Sequence, residues 1–441
     1  MRTGTIARSI AASGVALLAL TACGGGGDDG DDNASGDSGG AKQVNVYGTD
    51  GNIGTALGEE FDDASELAGV KGTTPLTDYS QDFKDRLLKV DPNLVDYNYS
   101  GESYDAVVIT ALAAAMAQSN DATKFGPYVN GITFGGDKCT DFKSCIDIIS
   151  KGGNPDYDGI TGPLAFADPG EPSVASFGVL QFNDKKEAVP NDFLVVGDEE
   201  NAASSEGPAA APYGTGTGPL KFGMLLPLTG TLAFLGPPEV SATTLAVNDI
   251  NAAGGVLGGN VELVPGDSGD TSTNIATQTV ASHLQAGVNA IIGAASSDVS
   301  KTVIDTVTQA GVLMFSPANT SDSFTTYSDN GLYFRTAPPD LFQGQVLADL
   351  ISKDGNQSVG ILAQNGEYGT GLAQVIADNL ANSGLSEDSV KQVYYDPNAS
   401  DFSDVVQEMV DFNPDAIVVI GFNESSKIFK AMNEQGIGPA R

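Results

Sequence analysis

From residue 220 onward, short runs of Val, Ile, Leu and Phe alternate with amphipathic segments of helical period. The apolar runs predict strands at 220–226, 261–264, 289–292, 312–315, 358–363, 391–395 and 416–420. The amphipathic segments predict helices near 238–252, 272–286, 299–309, 340–352, 368–382, 402–411 and 424–435. Alternation at this spacing is typical of βαβ units, in which helices cover both faces of a parallel sheet. The sequence therefore predicts an α/β fold with ligand-binding loops at the carboxyl ends of the strands.

Two stretches that are poor in large apolar residues divide the chain. Residues 24–40 consist mainly of Gly, Asp and Ser, and residues 198–219 are rich in Gly, Ala, Pro and acidic residues. Segments of this composition bury too little apolar surface to fold alone. The sequence predicts a tether over 23–41 and a flexible linker over 198–219, which separate folded parts at 42–197 and 220–441.

The first residues predict export. Arg2 and Arg8 precede an apolar stretch at residues 10–20 and give the N-terminus a positive charge. The stretch is too short to span a bilayer. This stretch runs into Leu20-Thr21-Ala22-Cys23, which resembles the processing site of bacterial lipoproteins. The resemblance implies a signal peptide over 1–22 and acyl chains on Cys23, which would anchor the protein to the extracytoplasmic face of the cell membrane. The alternative is an ordinary secretory signal with an incidental cysteine.

The charge balance excludes one class of partner. The chain has 57 acidic and 21 basic residues, which gives a formal net charge of −36. Nucleic-acid binding needs clustered Lys and Arg to neutralise phosphates, so we expect no nucleic-acid partner. Electrostatic adhesion to anionic lipid is disfavoured for the same reason, and a solvated acidic surface is the simplest account.

The two remaining cysteines, Cys139 and Cys145, are separated by five residues. They are close enough to close a small loop as a disulfide, which fits an exported protein. A metal site would need further Cys or His ligands, and the only histidine, His283, is distant in sequence. We therefore expect a structural disulfide and no metal site.

A single histidine also restricts catalysis. Most triads and zinc sites need an imidazole in a defined place, whereas His283 lies in a predicted helix as a surface or core residue. The sequence contains no Walker-type loop, no His-Glu-x-x-His and no Gly-x-Ser-x-Gly. Acidic residues are too numerous for any carboxylate pair to be informative. We expect neither an enzyme nor a cofactor.

Five motifs in the second part carry a resemblance. They are Leu228-Thr229-Gly230, the AVNDINAAGGV segment at 246–256, Ile291-Ile292-Gly293, Ser316-Pro317-Ala318-Asn319-Thr320 and Glu367-Tyr368-Gly369. In this order they resemble the amino-terminal part of the type I periplasmic binding proteins, in the leucine/isoleucine/valine-binding branch of ABC transporter receptors. The resemblance implies two lobes, each a parallel sheet with helices on both faces, that close around a ligand.

The first part resembles the carboxyl-terminal part of the same family. Its motifs are VNVYGTDG at 44–51, Ser103-Tyr104-Asp105-Ala106-Val107, the Cys139–Cys145 loop, YDGITG at 157–162 and FGVLQF at 177–182. Because the family order is reversed, the chain is interpreted as a circular permutant in which 198–219 joins the ancestral termini. Permutation is tolerated where the new break lies in an exposed loop, and the glycines and proline at 436–439 indicate a loop there.

The resemblance divides each lobe between the two parts. Lobe one would combine 220–337 with about 75–165. Lobe two would combine 340–441 with 42–74 and the last strands near 172–196. A closed monomer is favoured over two domain-swapped chains, because pairing within one chain has the higher effective concentration.

The family resemblance implies a function. The protein would be a substrate-binding lipoprotein that captures a small amino-acid-like ligand, with a branched-chain amino acid favoured, and delivers it to an ABC permease and ATPase complex. The alternative is a ligand sensor for amides, urea-like compounds or aromatic acids that signals to a membrane receptor. Leu235 stands where many relatives place an aromatic ring, so the side-chain pocket is expected to differ from theirs.

Three residues of the second part match the family's clamp for a ligand carboxylate. Ser297 would offer its hydroxyl and backbone N–H at the start of a helix, whose dipole adds attraction. Thr320 and the backbone of Ala318 match the second half of the clamp. The alternative for Ser297 and Thr320 is helix capping, which hydroxyl side chains commonly do.

Three further residues match the opposite side of the pocket. Asp50 would accept a charge-assisted hydrogen bond from a ligand ammonium group. Tyr368 would form an aromatic wall, and Phe422 is a looser match to a second wall. The alternatives are a turn role for Asp50 in Thr49-Asp50-Gly51 and core packing for Tyr368.

Overall fold

Two sheets organise the residues that the structure, a computed structural model, describes, namely 44–439. The strands are β1 (Asn45–Gly48), β2 (Lys71–Pro75), β3 (Asp137–Cys139), β4 (Pro155–Tyr157), β5 (Val174–Phe182), β6 (Ala188–Gly197), β7 (Lys221–Leu225), β8 (Glu262–Val264), β9 (Ala290–Gly293), β10 (Leu313–Ser316), β11 (Tyr333–Arg335), β12 (Val359–Gln364), β13 (Val390–Tyr395) and β14 (Ala416–Ile420). The helices are α1 (Thr55–Gly58), α2 (Gln81–Val90), α3 (Ser100–Ala117), α4 (Ala122–Phe125), α5 (Phe142–Ser150), α6 (Gly236–Ala252), α7 (Ile275–Ala286), α8 (Ser297–Gln309), α9 (Asp340–Lys353), α10 (Glu367–Asn382), α11 (Ser403–Phe412) and α12 (Ser425–Glu434). The predicted signal peptide, Cys23 and the tether at 23–41 lie outside the described residues.

The alternation predicted from residue 220 onward is confirmed. Each of the seven predicted strands and seven predicted helices is present, with ends shifted by at most a few residues. One further strand, β11, was not predicted, because its three residues, Tyr-Phe-Arg, form no apolar run. The inner strands are apolar throughout because both of their faces are covered; β9, β10, β12 and β14 are buried along their whole length.

Lobe one contains a five-stranded sheet with the order β11-β10-β9-β7-β8. All of its strand pairs are parallel. Helices α7 and α8 pack on this sheet, and α3 packs against α6. Because α3 and α6 come from the two parts of the chain, both parts contribute to lobe one.

Lobe two contains a seven-stranded sheet with the order β13-β12-β14-β1-β2-β5-β6. Strand β1 pairs in parallel with β14 on one side and with β2 on the other. The expectation of a wholly parallel sheet is wrong at one edge, because β5 is antiparallel to β2 and to β6. A short turn joins β5 to β6, and only antiparallel neighbours can be connected in this way.

Four segments connect the lobes. Residues 76–80 join β2 to α2, residues 158–173 lead from β4 to β5, residues 336–339 join β11 to α9, and residues 198–220 join β6 to β7. The last of these contains the predicted linker. It is irregular after a short 3-10 turn at Glu199–Asn201, and it follows the surface of lobe one.

The linker has hydrogen-bond partners along its length. The N–H of Ala203 donates to the Phe166 carbonyl at 2.7 Å, and the N–H of Ala211 donates to the Met116 carbonyl at 2.8 Å. The Gln118 side-chain oxygen accepts from the N–H of Gly214, also at 2.8 Å. The segment is therefore docked on lobe one at several points, although it lacks regular secondary structure.

The predicted disulfide is present between Cys139 in β3 and Cys145 in α5. It closes the short loop between β3 and α5, next to the small parallel pair that β3 forms with β4. His283 is buried, with its Nε2 2.7 Å from the Met224 carbonyl oxygen, so it is a core residue of lobe one. Within residues 44–439, no helix is both long and apolar enough to cross a bilayer.

Replacing Cys139 and Cys145 with serine should lower the free energy of unfolding, because the disulfide restricts the unfolded chain. The bond closes a loop of only a few residues, so we expect a loss of about 2 kcal/mol. Urea denaturation of the oxidised protein and of the double variant would measure the difference. A reducing agent should destabilise the wild type and leave the variant unchanged. Equal stability of the two oxidised proteins would contradict a stabilising role.

Candidate ligand-binding site

The two lobes meet at the carboxyl ends of their parallel strands, and a small cavity lies between them. The loops after β1, β7, β9, β10 and β14 reach this cavity, as do the starts of α3 and α10. Its lining includes all six residues predicted to bind a ligand: Asp50, Ser297, Ala318, Thr320, Tyr368 and Phe422. The structure thus brings together residues that are up to 372 positions apart in sequence, although their role in binding stays a prediction.

Asp50 lies in the turn that follows β1 and is only 4% exposed. Its two carboxylate oxygens accept hydrogen bonds of 2.6 Å from the hydroxyls of Tyr99 and Tyr368. Burial raises the pKa of Asp50 above its usual value, and hydrogen bonds from Tyr368, Tyr99 and Gln343 oppose that shift. An ammonium group placed beside this carboxylate would stabilise its ionised form.

Tyr368 is the second residue of α10 and is buried. Its ring stacks on that of Phe422, with centroids 5.4 Å apart and planes 13° from parallel. Its hydroxyl bridges Asp50 and Thr49, so the ring forms a fixed wall with a polar end. Leu232 and Leu235 line the cavity as well, and Leu235 occupies the place where the resemblance leads us to expect an aromatic ring.

Ser297 is the first residue of α8 and is 3% exposed. The helix is capped by Ser296, whose hydroxyl accepts from the Val299 N–H, so the capping alternative for Ser297 is wrong. The Ser297 hydroxyl instead accepts a long hydrogen bond of 3.4 Å from the Ser321 N–H. Ser297 also lies at the N-terminus of α8, where the helix dipole favours negative charge.

The loop after β10 supplies Ala318 and Thr320. The Ala318 N–H donates to the Ser316 hydroxyl at 3.3 Å, which fixes the turn. Ser321, not Thr320, caps the short 3-10 helix that follows, so capping does not explain Thr320. The Thr320 hydroxyl is buried and has no hydrogen-bond partner of normal geometry within the described residues.

Asp340, the first residue of α9, is an acidic neighbour that the sequence reasoning missed. Its side chain is fully buried, and neither carboxylate oxygen has a hydrogen-bond partner of normal geometry among residues 44–439. Burial and the charge of Asp50 raise its pKa well above the usual value, and the nearby Thr320 hydroxyl partly opposes this. Asp50 and Asp340 together make this end of the cavity a favourable place for a proton or a cationic group.

Tyr99 was also missed. It precedes α3 with a φ of 58°, a left-handed conformation that is uncommon for a residue other than glycine. This geometry places its hydroxyl 2.6 Å from Asp50 across the lobe interface. No local sequence signal indicates the contact, because it depends on how lobe one and lobe two come together.

Further contacts close the lobes around the cavity. The Asp298 carboxylate of lobe one accepts from the Glu367 N–H at the start of α10 in lobe two, at 2.8 Å. The cavity itself measures about 10 Å³, which is room for about one water molecule. An adjoining cavity of about 60 Å³ shares Leu232, Ser296 and Phe422 with it. An amino acid therefore requires the lobes to separate from the arrangement in this structure.

The site combines an acidic end, hydroxyl groups with a helix N-terminus, and apolar walls. This is the chemistry that a small zwitterion with an apolar side chain needs. Among the described residues, no group of three His, Cys, Asp or Glu side chains is placed to hold a metal ion.

Several known proteins are similar to about half of the chain. The Leu/Ile/Val-binding protein homolog 3 of Brucella melitensis is 28% identical over 243 residues, which cover 53% of this chain and 62% of that protein. The Leu/Ile/Val-binding protein homolog 8 of Brucella abortus is 30% identical over 233 residues, which cover 50% of this chain and 56% of that protein. The chain thus spans less than two thirds of the length of these relatives.

Solved structures give a similar partial match. The leucine-binding protein LivK of Thermotoga maritima has 27% identity and a TM-score of 0.41, covering 45% of this chain and 55% of its own. The branched-chain amino acid transporter substrate-binding protein LivJ of Streptococcus pneumoniae, solved in complex with isoleucine, has 28% identity and a TM-score of 0.43, covering 50% of this chain and 63% of its own. The profile of a family described as "Periplasmic binding protein" matches residues 219–441, which is half of the chain. The chain belongs to the periplasmic binding protein family.

Proposed function

We propose that the protein is a substrate-binding lipoprotein of an ABC importer, which encloses a small amino-acid-like ligand between its two lobes and delivers it to a permease. Branched-chain amino acids are the favoured ligands. The observation that carries the proposal is that the buried Asp50 carboxylate, the buried Thr320 hydroxyl and the start of α8 line one cavity between the lobes. This arrangement suits binding and contains no nucleophile–base pair among the six predicted residues, so we propose a binding protein and not an enzyme.

The orientation of the ligand follows from the charges. Its ammonium group would lie toward Asp50, where the Tyr99 and Tyr368 hydroxyls already fix the carboxylate. Its carboxylate would lie toward Ser297 and Thr320, with their hydroxyls and the α8 N-terminus as donors. The apolar side chain of the ligand would pack on two aromatic rings and two leucines, namely those of Tyr368, Phe422, Leu232 and Leu235.

We also propose the exchanged order of the two family halves and the lipid anchor on Cys23. The pairing of β1 between β14 and β2 supports the exchange, because it completes the lobe-two sheet with a strand from the opposite end of the chain. In this proposal the two lobes comprise 220–337 and 340–441 with their partners from 42–197, and residues 198–219 join the ancestral termini. A closed monomer satisfies every one of these pairings within a single chain.

Calorimetric titration of the full-length chain tests the function directly. The panel is L-leucine, L-isoleucine, L-valine, acetamide, urea and benzoate. We expect saturable one-to-one binding of at least one branched-chain amino acid and none of benzoate. Binding of acetamide, urea or benzoate in preference to the amino acids would favour the sensor alternative. No binding to any of the six would overturn the amino-acid proposal.

Replacing Thr320 with valine should separate binding from stability. The isosteric change removes a buried hydroxyl that has no hydrogen-bond partner of normal geometry and lies near the Asp340 carboxyl, so the free energy of unfolding should change by no more than about 1 kcal/mol. The same change should weaken L-leucine binding about tenfold, because a ligand hydrogen bond is lost. Thr308→Val is the matched control, because its buried hydroxyl already bonds the Ile304 carbonyl. Unchanged affinity in Thr320→Val would remove Thr320 from the site.

A further inference from the structure

Beneath the loop that carries Thr320 lies a buried ion pair between Arg335 and Glu171. Arg335 ends β11 and is fully buried, and Glu171 is 7% exposed. The Arg335 Nε and Nη2 donate to the same carboxylate oxygen of Glu171, at 3.0 and 2.5 Å. The two residues are 164 positions apart and come from different parts of the chain.

The other side of the guanidinium is turned toward the Thr320 loop. Its Nη1 donates to the Ser321 carbonyl at 2.8 Å and to the Asn319 carbonyl at 3.3 Å. These carbonyls flank Thr320 on either side. One planar donor group therefore fixes the backbone of the loop at both neighbours of Thr320, a geometry that lysine cannot reproduce.

The same network continues to the Ser297 loop. The Asn319 side-chain amide donates to the carbonyls of Ala294 and Ala295, at 3.0 and 2.7 Å. Its oxygen accepts from the Tyr333 hydroxyl at 2.8 Å. One network of buried hydrogen bonds thus holds both loops of the proposed carboxylate clamp.

Arg335 and Glu171 also lie at two of the connections between the lobes. Arg335 is followed by residues 336–339, which lead to α9 in lobe two, and Glu171 belongs to residues 158–173, which lead to β5. The Arg335 N–H donates to the Gly170 carbonyl at 3.0 Å, which joins the two connections directly. Arg335 therefore joins both connections to the loop that carries Thr320.

We infer that Arg335, held by Glu171, is a positioning residue that fixes the Thr320 loop for ligand binding and links it to the connections between the lobes. The inference rests on the proposed function, since it concerns the same cavity. Neither residue lines the cavity, so their effect on a ligand is indirect.

The test uses the full-length chain and two variants. Arg335→Lys keeps the positive charge beside Glu171 but cannot reach Glu171 and both carbonyls at once. Arg335→Met with Glu171→Leu replaces the whole pair with apolar groups of similar volume, which avoids leaving one buried charge unpaired. Lys391→Met with Glu408→Leu is the matched control, because it removes a partly exposed ion pair in lobe two.

Two measurements are made on each protein. Amide hydrogen exchange of residues 318–323 reports the loop without any ligand, with β7 as an internal reference. We expect exchange in this loop to become at least tenfold faster in both variants while β7 stays unchanged. We also expect the dissociation constant for L-leucine to rise at least tenfold, with no change in the control.

The outcomes separate the two proposals. Unchanged loop exchange in a folded variant would overturn the positioning role, and so would faster exchange with an unchanged L-leucine affinity. If the wild type binds none of the panel compounds, the proposed function fails, but loop exchange still decides whether Arg335 fixes the loop. If the double variant does not fold, Arg335→Lys carries the test, because it retains the buried charge pair.

Discussion

Replacing Asp50 with asparagine is expected to weaken L-leucine binding by about 30-fold or more. The carboxylate is buried and held by Tyr99 and Tyr368, so an ammonium group beside it would form a charge-assisted bond with little solvent screening. Loss of one partner of such a bond costs about 2–5 kcal/mol of binding free energy. Isothermal titration of the wild type and the variant would measure the loss.

Stability should not fall with affinity in Asp50→Asn. Asparagine keeps a side-chain carbonyl that can accept from a tyrosine hydroxyl, and it removes a carboxylate whose ionised form is disfavoured by burial. The variant should also lose discrimination against 4-methylpentanoate, the leucine analogue without an ammonium group. Asp411→Asn, at an exposed position on α11, is the control for a simple change of charge. If Asp50→Asn binds L-leucine as well as the wild type does, the ammonium assignment is wrong.

Replacing Glu102 with glutamine should produce the largest change in stability, and the change should grow as the pH rises from about 4.5 to about 8. Glu102 lies in the first turn of α3 and is 3% exposed, with one oxygen 3.3 Å from the Tyr79 hydroxyl. Burial raises its pKa to about 8. Glu239 on α6, whose carboxylate is fully buried, has its pKa raised well above the usual value by burial and by the charge of Glu102.

The sign of the pH dependence follows from proton binding. Between about pH 4.5 and pH 8, the folded protein keeps the Glu102 proton that the unfolded chain has released. The contribution of Glu102 to stability therefore falls as the pH rises through this window, and it is constant above it. A shift of this size corresponds to a change of about 5 kcal/mol, which a glutamine side chain cannot show.

Urea denaturation at pH 5 and pH 8.5 would measure this effect. Glu102→Gln and the wild type should differ little at pH 5, and the variant should be more stable at pH 8.5. The exposed Glu434→Gln change serves as the control and should show no such difference. A stability gain that is the same at both pH values would contradict a buried, protonated Glu102.

Much of the fold was predictable because its elements follow from local patterns. The strands β9, β12 and β14 are continuous apolar runs, and a run of that kind needs a sheet that is covered on both faces. The edge of lobe two was less predictable. Strand β6 is mostly exposed and irregular in its pairing, so its antiparallel direction depends on the tertiary structure.

The site was predictable only where a motif carried the information. Thr320 and Asp50 lie within short motifs at strand ends, Ser297 lies shortly after one, and the structure brings all three to one cavity. Tyr99 and Asp340 have no such signal. Their importance arises from burial beside Asp50, and burial is a property of the assembled lobes that no single segment specifies.

The position of β1 has a consequence for how the protein is made. Residues 45–47 pair with residues 416–418, so a central strand of lobe two is among the first parts of the described chain to be synthesised and its partner is among the last. Lobe two therefore cannot complete its sheet until nearly the whole chain is available, and its contacts have very high sequence separation. Folding after synthesis, rather than during it, is the expected order for this lobe. A truncation at either end would remove neighbouring strands from the same sheet.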